Sequence, residues 1–150
     1  MSKQHSEITD DTFLGGKLSL FQPKKGFRAG LDSVLLAASI NAKSGEKIFE
    51  IGAGVGVVLY CLMKRISNLN AKAIEINEEY YSLLVINAKR NNFKPNLLLG
   101  DFWSNPNLKN ENFDHIFFNP PYYPFNSFKS SNNKLLNIAN IEHPSLLKKC

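Results

Sequence analysis

The sequence predicts one α/β domain built on a parallel sheet, and three observations carry that prediction. Four short apolar segments, at 47–51, 71–76, 96–99 and 114–118, have the length and composition of buried strands. The stretches 55–65 and 77–90, which separate the first three, carry helical patterns. Strands joined through single helices imply right-handed crossovers and parallel pairing. The third observation is a glycine-rich turn, 52–56, between the first of those strands and the first of those helices.

Each element has its own local reason. Residues 1–11 are polar and read as a flexible tail, which leaves 12–150 as the domain. Residues 13–21 alternate loosely about Gly15-Gly16, as a short strand or hairpin does. Asp32 or Ser33 can cap a helix over 34–40, with Asp32 favoured by the helix dipole. Residues 55–65 are apolar nearly all round, the mark of a buried helix. Asn77 can cap the next helix, with Glu78 and Glu79 in its first turn and Lys89 and Arg90 in its last. The inward face expected for that helix is Tyr81, Leu84, Val85 and Ala88. Residues 127–133 read as a flexible loop, and 135–149 as a further helix broken at Pro144. The class is α/β of the Rossmann-like kind, with four core strands behind an N-terminal hairpin and helix.

Bulk properties bound the function. The 150 residues are enough for one buried core, and 43% apolar with 21% charged is ordinary globular composition, with no excess of Pro, Gly or Ser to suggest disorder. A net charge of +5 favours a polyanion such as RNA, although many basic proteins bind none. The N-terminus lacks the apolar stretch of a signal peptide, and no run of about 18 apolar residues is present to span a membrane. Cys61 and Cys150 show neither metal-ligand nor disulfide spacing, and His5, His115 and His143 do not cluster. No metal is expected, and the expected setting is the reducing cytoplasm.

The turn Glu50-Ile51-Gly52-Ala53-Gly54-Val55-Gly56 is the first candidate site. Glycines there let a ligand approach the backbone, and a helix N-terminus favours negative groups. A dinucleotide loop spaces its glycines as G-x-G-x-x-G, whereas here the third falls one place early, at Gly56. Glu50 is wrong for seating a pyrophosphate but suits a ligand carrying an ammonium. Glu75, about 20 residues beyond the loop, can accept hydrogen bonds from two ribose hydroxyls. Asp101 follows the third strand. Any one of these carboxylates reads equally well as a solvated loop residue or cap. Together, at three successive strand ends, Glu50, Glu75 and Asp101 would project into one crevice.

The fourth strand ends in Asn119-Pro120-Pro121-Tyr122. Two prolines stop the strand and make a rigid turn. An amino group conjugated to a ring or carbonyl is a poor nucleophile because its lone pair is delocalised. The Asn119 side-chain oxygen and the Pro120 carbonyl could accept its two N–H bonds and turn the lone pair toward a methyl donor. Tyr122 offers a ring face for a flat substrate. The bland reading is a proline turn ahead of the aromatic cluster Tyr122, Tyr123, Phe125 and Phe128.

From Glu50 to Tyr122 the chain resembles the S-adenosylmethionine-dependent class I methyltransferases of the N-P-P-Y subgroup. Within it, residues 11–40 resemble the bacterial tRNA1(Val) adenine-37 N6-methyltransferase family. The features are Gly26-Phe27-Arg28-Ala29-Gly30-Leu31-Asp32 before a Leu-Leu-Ala-Ala helix, and the tandem Tyr122-Tyr123. The resemblance implies that Glu50, Gly52, Ala53, Gly54 and Gly56 hold the methionine part of S-adenosylmethionine, and Glu75 its ribose. Ile76, Asp101 and Phe102 complete the cofactor set, with Asp101 on the adenine amino group. Asn119, Pro120, Pro121 and Tyr122 would orient a target adenine, flipped out of its stack. Arg28, Lys24, Lys25 and Tyr123 are the candidate tRNA contacts, although Arg28 and the lysines read equally as a solvated basic turn.

That fold has seven strands in the order 3-2-1-4-5-7-6, and only its first four are found here. The chain therefore reads as C-terminally truncated, with the fourth strand an uncovered edge. Weak or no activity is expected of it in isolation. Alternative targets for the same chemistry are a glutamine amide or a DNA base. A cofactor-binding remnant without turnover is a further reading, and a nicotinamide enzyme is disfavoured by the glycine spacing.

Overall fold

The computed structural model describes residues 7–119. A hairpin of β1 (Ile8–Phe13) and β2 (Leu18–Pro23) precedes α1 (Leu31–Ser39). Then follow β3 (Lys47–Ile51), α2 (Val57–Arg65), β4 (Asn70–Glu75), α3 (Glu78–Arg90), β5 (Asn96–Leu99), the short α4 (Pro106–Lys109) and β6 (His115–Phe118). The last four strands form one sheet in the order β5-β4-β3-β6, every pair parallel. This is the order expected for the first four strands of the Rossmann-like class. The chain runs outward from β3 through β4 to β5, then crosses back to put β6 on the other side of β3. The carboxyl ends of β3 and β6 therefore flank the switch point, where open α/β sheets bind ligands.

Period-two alternation divides the core. Ile48 and Ala73 face one side, with α2, α3 and the hairpin residues Leu18 and Leu20, all buried. Phe49 and Ile74 face the other, beneath Leu108 of α4. Burying a Leu, Ile or Phe of this kind contributes about 1.5–3 kcal/mol. Phe49 also stacks on Phe113 at 4.8 Å between ring centroids. Cys61 is buried in α2, and burial pushes its thiol up to about 11.

Several local expectations are corrected. Residues 8–11 belong to β1 rather than to a tail, because they pair in register with Leu20–Pro23 of β2. Helix α1 starts at Leu31 behind Gly30, and neither Asp32 nor Ser33 makes a cap hydrogen bond. Ser33 is instead buried, and Asp32 sits in the first turn. The buried face of α3 is Tyr80, Leu84, Asn87 and Ala88, not the face through Tyr81 and Val85. A polar Asn87 belongs there because its amide is fully used. It accepts from Phe21 N (2.7 Å) and donates to Phe21 O and Val55 O (3.0 Å each), tying the hairpin to the glycine loop.

Asn77 does cap α3, accepting from Glu79 N and Tyr80 N at 2.9 and 3.1 Å. Among the described residues β6 has β3 as its strand neighbour and is the sheet edge, with Ile116 exposed. No helix among the described residues is long and apolar enough to cross a membrane. Pro120, Pro121, Tyr122 and Tyr123, the loop at 127–133 and the helix at 135–149 lie outside the described residues.

Candidate active site

A cleft opens at the switch point. Its floor is Glu50 at the end of β3 and the loop residues Gly52, Ala53, Gly54 and Val55. Asn119, one residue beyond β6, and Ser33 of α1 form one side. Phe27, Ala29 and Tyr80 form another.

The glycine loop is shaped by its own backbone. Gly52 N and Ala53 N donate to Ile74 O at 2.9 and 3.1 Å, pinning the loop to β4. Gly52, Gly54 and Gly56 all have positive φ, at 67°, 57° and 91°. Their surroundings differ. A Cβ on Gly56 would stand 2.3 Å from Tyr60 Cε2 and 2.6 Å from Leu84 Cδ1, so this glycine is required by packing. A Cβ on Gly52 or Gly54 would meet nothing within 4 Å. Those two leave open space beside the loop, on the cleft they line.

Glu50 is 2% exposed, and one carboxylate oxygen accepts from Leu59 N of α2 at 3.1 Å. Burial pushes its carboxyl well above the ordinary carboxylate range, the Leu59 N–H draws it partly back, and the charge of Glu75 pushes it up further. A buried carboxylate in such a place is stabilised by a cation, and a ligand ammonium supplies one. The donor set thus fits the methionine part of S-adenosylmethionine.

Of the three carboxylates expected at one crevice, Glu50 lines this cleft, and Glu75 is joined to it through the lining residue Gly54. Glu75 turns both oxygens to the backbone, accepting from Gly54 N at 2.7 Å and Asn77 N at 2.8 Å. Burial raises its pKa, against those backbone hydrogen bonds. Each carboxylate oxygen has a second lone pair, so a further hydroxyl donor remains compatible with these bonds. Asp101 closes its own turn, accepting from Trp103 N and Ser104 Oγ at 3.1 and 2.8 Å. Ile76 is 61% exposed just past β4, while Phe102 packs on Phe49 with ring centroids 5.8 Å apart.

Asn119 carries the most informative contact set. Its Nδ2 donates to Asp32 Oδ2 and to Ser33 Oγ, both at 3.2 Å. Its Oδ1 is buried without a hydrogen-bond partner, alone in this among the buried side-chain atoms of the described residues. Leaving such an acceptor unsatisfied costs about 1–3 kcal/mol, which a donor on a bound ligand would recover.

Among the candidate RNA contacts, Arg28 is committed to the hairpin. It donates to Thr9 Oγ1 (2.7 Å) and Pro23 O (2.8 Å) and pairs with Asp11. Lys24 pairs with Glu7, and Lys25 is exposed. The wall residues Phe27, Ala29, Ser33 and Tyr80 escaped the sequence reading. The Tyr80 hydroxyl accepts from Phe27 N at 2.9 Å and lies 3.2 Å from Phe27 O, clamping the wall. The signal present was the Gly26–Asp32 segment itself, read as a family feature with Arg28 alone as a candidate contact. No group of three or more His, Cys, Asp or Glu residues that could hold a metal occurs among the described residues.

A parallel sheet ordered 3-2-1-4, a glycine cradle above a buried acid, and an asparagine acceptor after the fourth strand define a Rossmann-like protein of methyltransferase type. Residues 28–139 match the methyltransferase small domain model, and the chain belongs to that family. It is similar to the tRNA1(Val) (adenine(37)-N6)-methyltransferase of a Flavobacteriaceae bacterium, 31% identical over 112 residues, covering 73% of this chain and 48% of the relative. It is also similar to ribosomal RNA small subunit methyltransferase A of Borreliella burgdorferi, 40% identical over 85 residues, covering 56% of this chain and 29% of the relative. A solved methyltransferase from Pyrococcus furiosus superposes with a TM-score of 0.57 at 25% identity, over 71% of this chain and 54% of that one. The chain thus spans less than half the length of these two curated relatives.

Proposed function

We propose that the chain binds S-adenosylmethionine and directs its methyl group to an exocyclic amino nitrogen, with N6 of adenine in tRNA as the substrate. The observation that carries this reading is the buried, unpartnered Oδ1 of Asn119, a residue that lines the same cleft as Glu50 and the glycine loop. When bound, the cofactor supplies an electrophilic methyl on a positively charged sulfur. Glu50 holds the ammonium end, and Gly52 and Gly54 admit the ligand against the backbone. Asn119 Oδ1 accepts one N–H of the target amine, and with the Pro120 carbonyl it turns the lone pair toward the methyl. No strong base is needed, because the amine proton leaves after transfer. Orientation of this sort supplies much of the rate in such reactions.

The tRNA reading is supported by the match to the Flavobacteriaceae relative, which reaches 73% of the chain. The ribosomal relative, more similar over a shorter span, supports small-subunit rRNA as the second reading. Transfer of labelled methyl from S-adenosylmethionine to total tRNA, small-subunit rRNA, release factor and DNA tests all of these together. Label entering tRNA as N6-methyladenine, abolished by Asn119→Ala, is the expected result. Calorimetry with S-adenosylhomocysteine adds a control, since binding without transfer to any acceptor indicates a cofactor-binding module. Label in a carbon or oxygen position, or undiminished transfer by Asn119→Ala, would overturn the proposal.

A further inference from the structure

The Asn119 amide has two donors and one acceptor, and which of them faces the cleft decides whether it can hold an amine. Nothing in Asn119 itself makes that choice, because the two ends of the amide are nearly the same shape. The choice is made by α1, which lies against the amide. We propose that Asp32 and Ser33 are positioning residues: they take the Asn119 nitrogen and so commit its oxygen to the reacting amine.

The argument is one of donor and acceptor inventory. Asp32 Oδ2 and Ser33 Oγ both lie 3.2 Å from Asn119 Nδ2, so both amide hydrogens are spoken for on that side. A carboxylate can only accept. Turning the amide over would set Asn119 Oδ1 against Asp32 Oδ2, lone pair against lone pair, and would put the amide hydrogens where the oxygen now stands. Ser33 is 1% exposed and lines the cleft with Asn119, so its hydroxyl is fixed in place by packing. The cost of the arrangement is visible as the unpartnered, buried Oδ1. The two residues stand 86 and 87 positions before Asn119, and the first turn of α1 and the end of β6 bring them together.

This inference rests on the amino-methylation reading, and its test separates the two. The first arm is spectroscopic and needs no turnover. In the full chain labelled with ¹⁵N-asparagine, the Asn119 side-chain NH₂ pair is identified by its loss in Asn119→Ala. Asp32→Ala and Ser33→Ala should each shift that pair and speed its exchange with water, and Asp32→Asn should give an intermediate change. An unmoved pair in the Asp32→Ala/Ser33→Ala double variant overturns the proposal.

The second arm is a double-mutant cycle on methyl transfer. Asp32→Ala should lower kcat by on the order of tenfold to a hundredfold, with the S-adenosylhomocysteine Kd unchanged. In the Asn119→Ala background the same substitution should cost nothing more, because there is no amide left to orient. An equal loss in both backgrounds marks a merely structural role and overturns the proposal. If the NH₂ pair responds as expected while the chain transfers no methyl group to any acceptor, the orientation of the amide stands and the methylation reading fails; intact transfer by Asn119→Ala overturns the proposal.

Discussion

Substituting Gly56 and Gly54 separately by alanine should produce opposite kinds of damage. Both have positive φ, at 91° and 57°, so alanine at either site pays a backbone penalty of about 1–2 kcal/mol. At Gly56 the new Cβ would also overlap Tyr60, at 2.3 and 2.8 Å from its ring carbons, and Leu84 at 2.6 Å. Both neighbours are fully buried, and the Tyr60 hydroxyl is tied to Leu84 O at 2.6 Å, so neither can step aside. Overpacking of this kind costs about 1–3 kcal/mol more. Gly56→Ala should therefore lose about 2–5 kcal/mol, a fall in Tm of roughly 5–15 °C for a chain of this size. Gly54→Ala should lose only the backbone share, because its Cβ meets nothing within 4 Å. That methyl would stand in the ligand cradle, and S-adenosylhomocysteine binding should weaken at least tenfold while the fold survives. Urea unfolding and calorimetry on the two variants give the comparison. Equal stability losses, or a Gly54→Ala protein that binds normally, would refute the division of the loop into a packed end and an open end.

Three further outcomes follow from the same geometry. Because burial raises the Glu50 pKa, the native state holds that proton more tightly than the unfolded chain does. Its contribution to stability is then complete below the ordinary glutamate range and is lost as pH rises through the raised value. Glu50→Gln should thus raise Tm at neutral pH, by a margin that shrinks toward acid, while weakening cofactor binding; a lower Tm throughout would contradict this. Asn87→Ala removes partners from Phe21 N, Phe21 O and Val55 O, and urea titration should register a loss of about 2–4 kcal/mol. Tyr80→Phe keeps the ring but releases Phe27, so hydrogen exchange at the Phe27 amide should speed up and S-adenosylhomocysteine should dissociate faster, with a stability loss of about 1 kcal/mol.

Local signals were read well wherever one residue's chemistry decides the outcome. Asn77 caps α3 because its own side chain reaches the next two amides, and that needs no partner from elsewhere. The strands 47–51 and 96–99 fell at their observed bounds because short apolar runs between turn residues have few alternatives. The face of α3 was misjudged by one position because Asn87 looks like a surface residue until β2 arrives to use its amide. Arg28 looked like a free basic residue until Asp11, Thr9 and the Pro23 carbonyl took its guanidinium.

The sequence by itself determined the class of fold, the glycine cradle after the first sheet strand and the presence of an asparagine acceptor after the fourth. Each of these depends on contacts within a few residues, or on a pattern that repeats along the chain. Only the tertiary structure decided what faces the cleft. It set Glu50 on the floor, tied Glu75 to the glycine loop through Gly54 N, and left Asp101 closing its own turn. It brought Phe27 and Ala29 in as a wall and laid Asp32 and Ser33 against the Asn119 amide. The physical reason is that a polar side chain's direction is chosen by whichever donors and acceptors arrive within 3.5 Å or so, and here they arrive from segments tens of residues away.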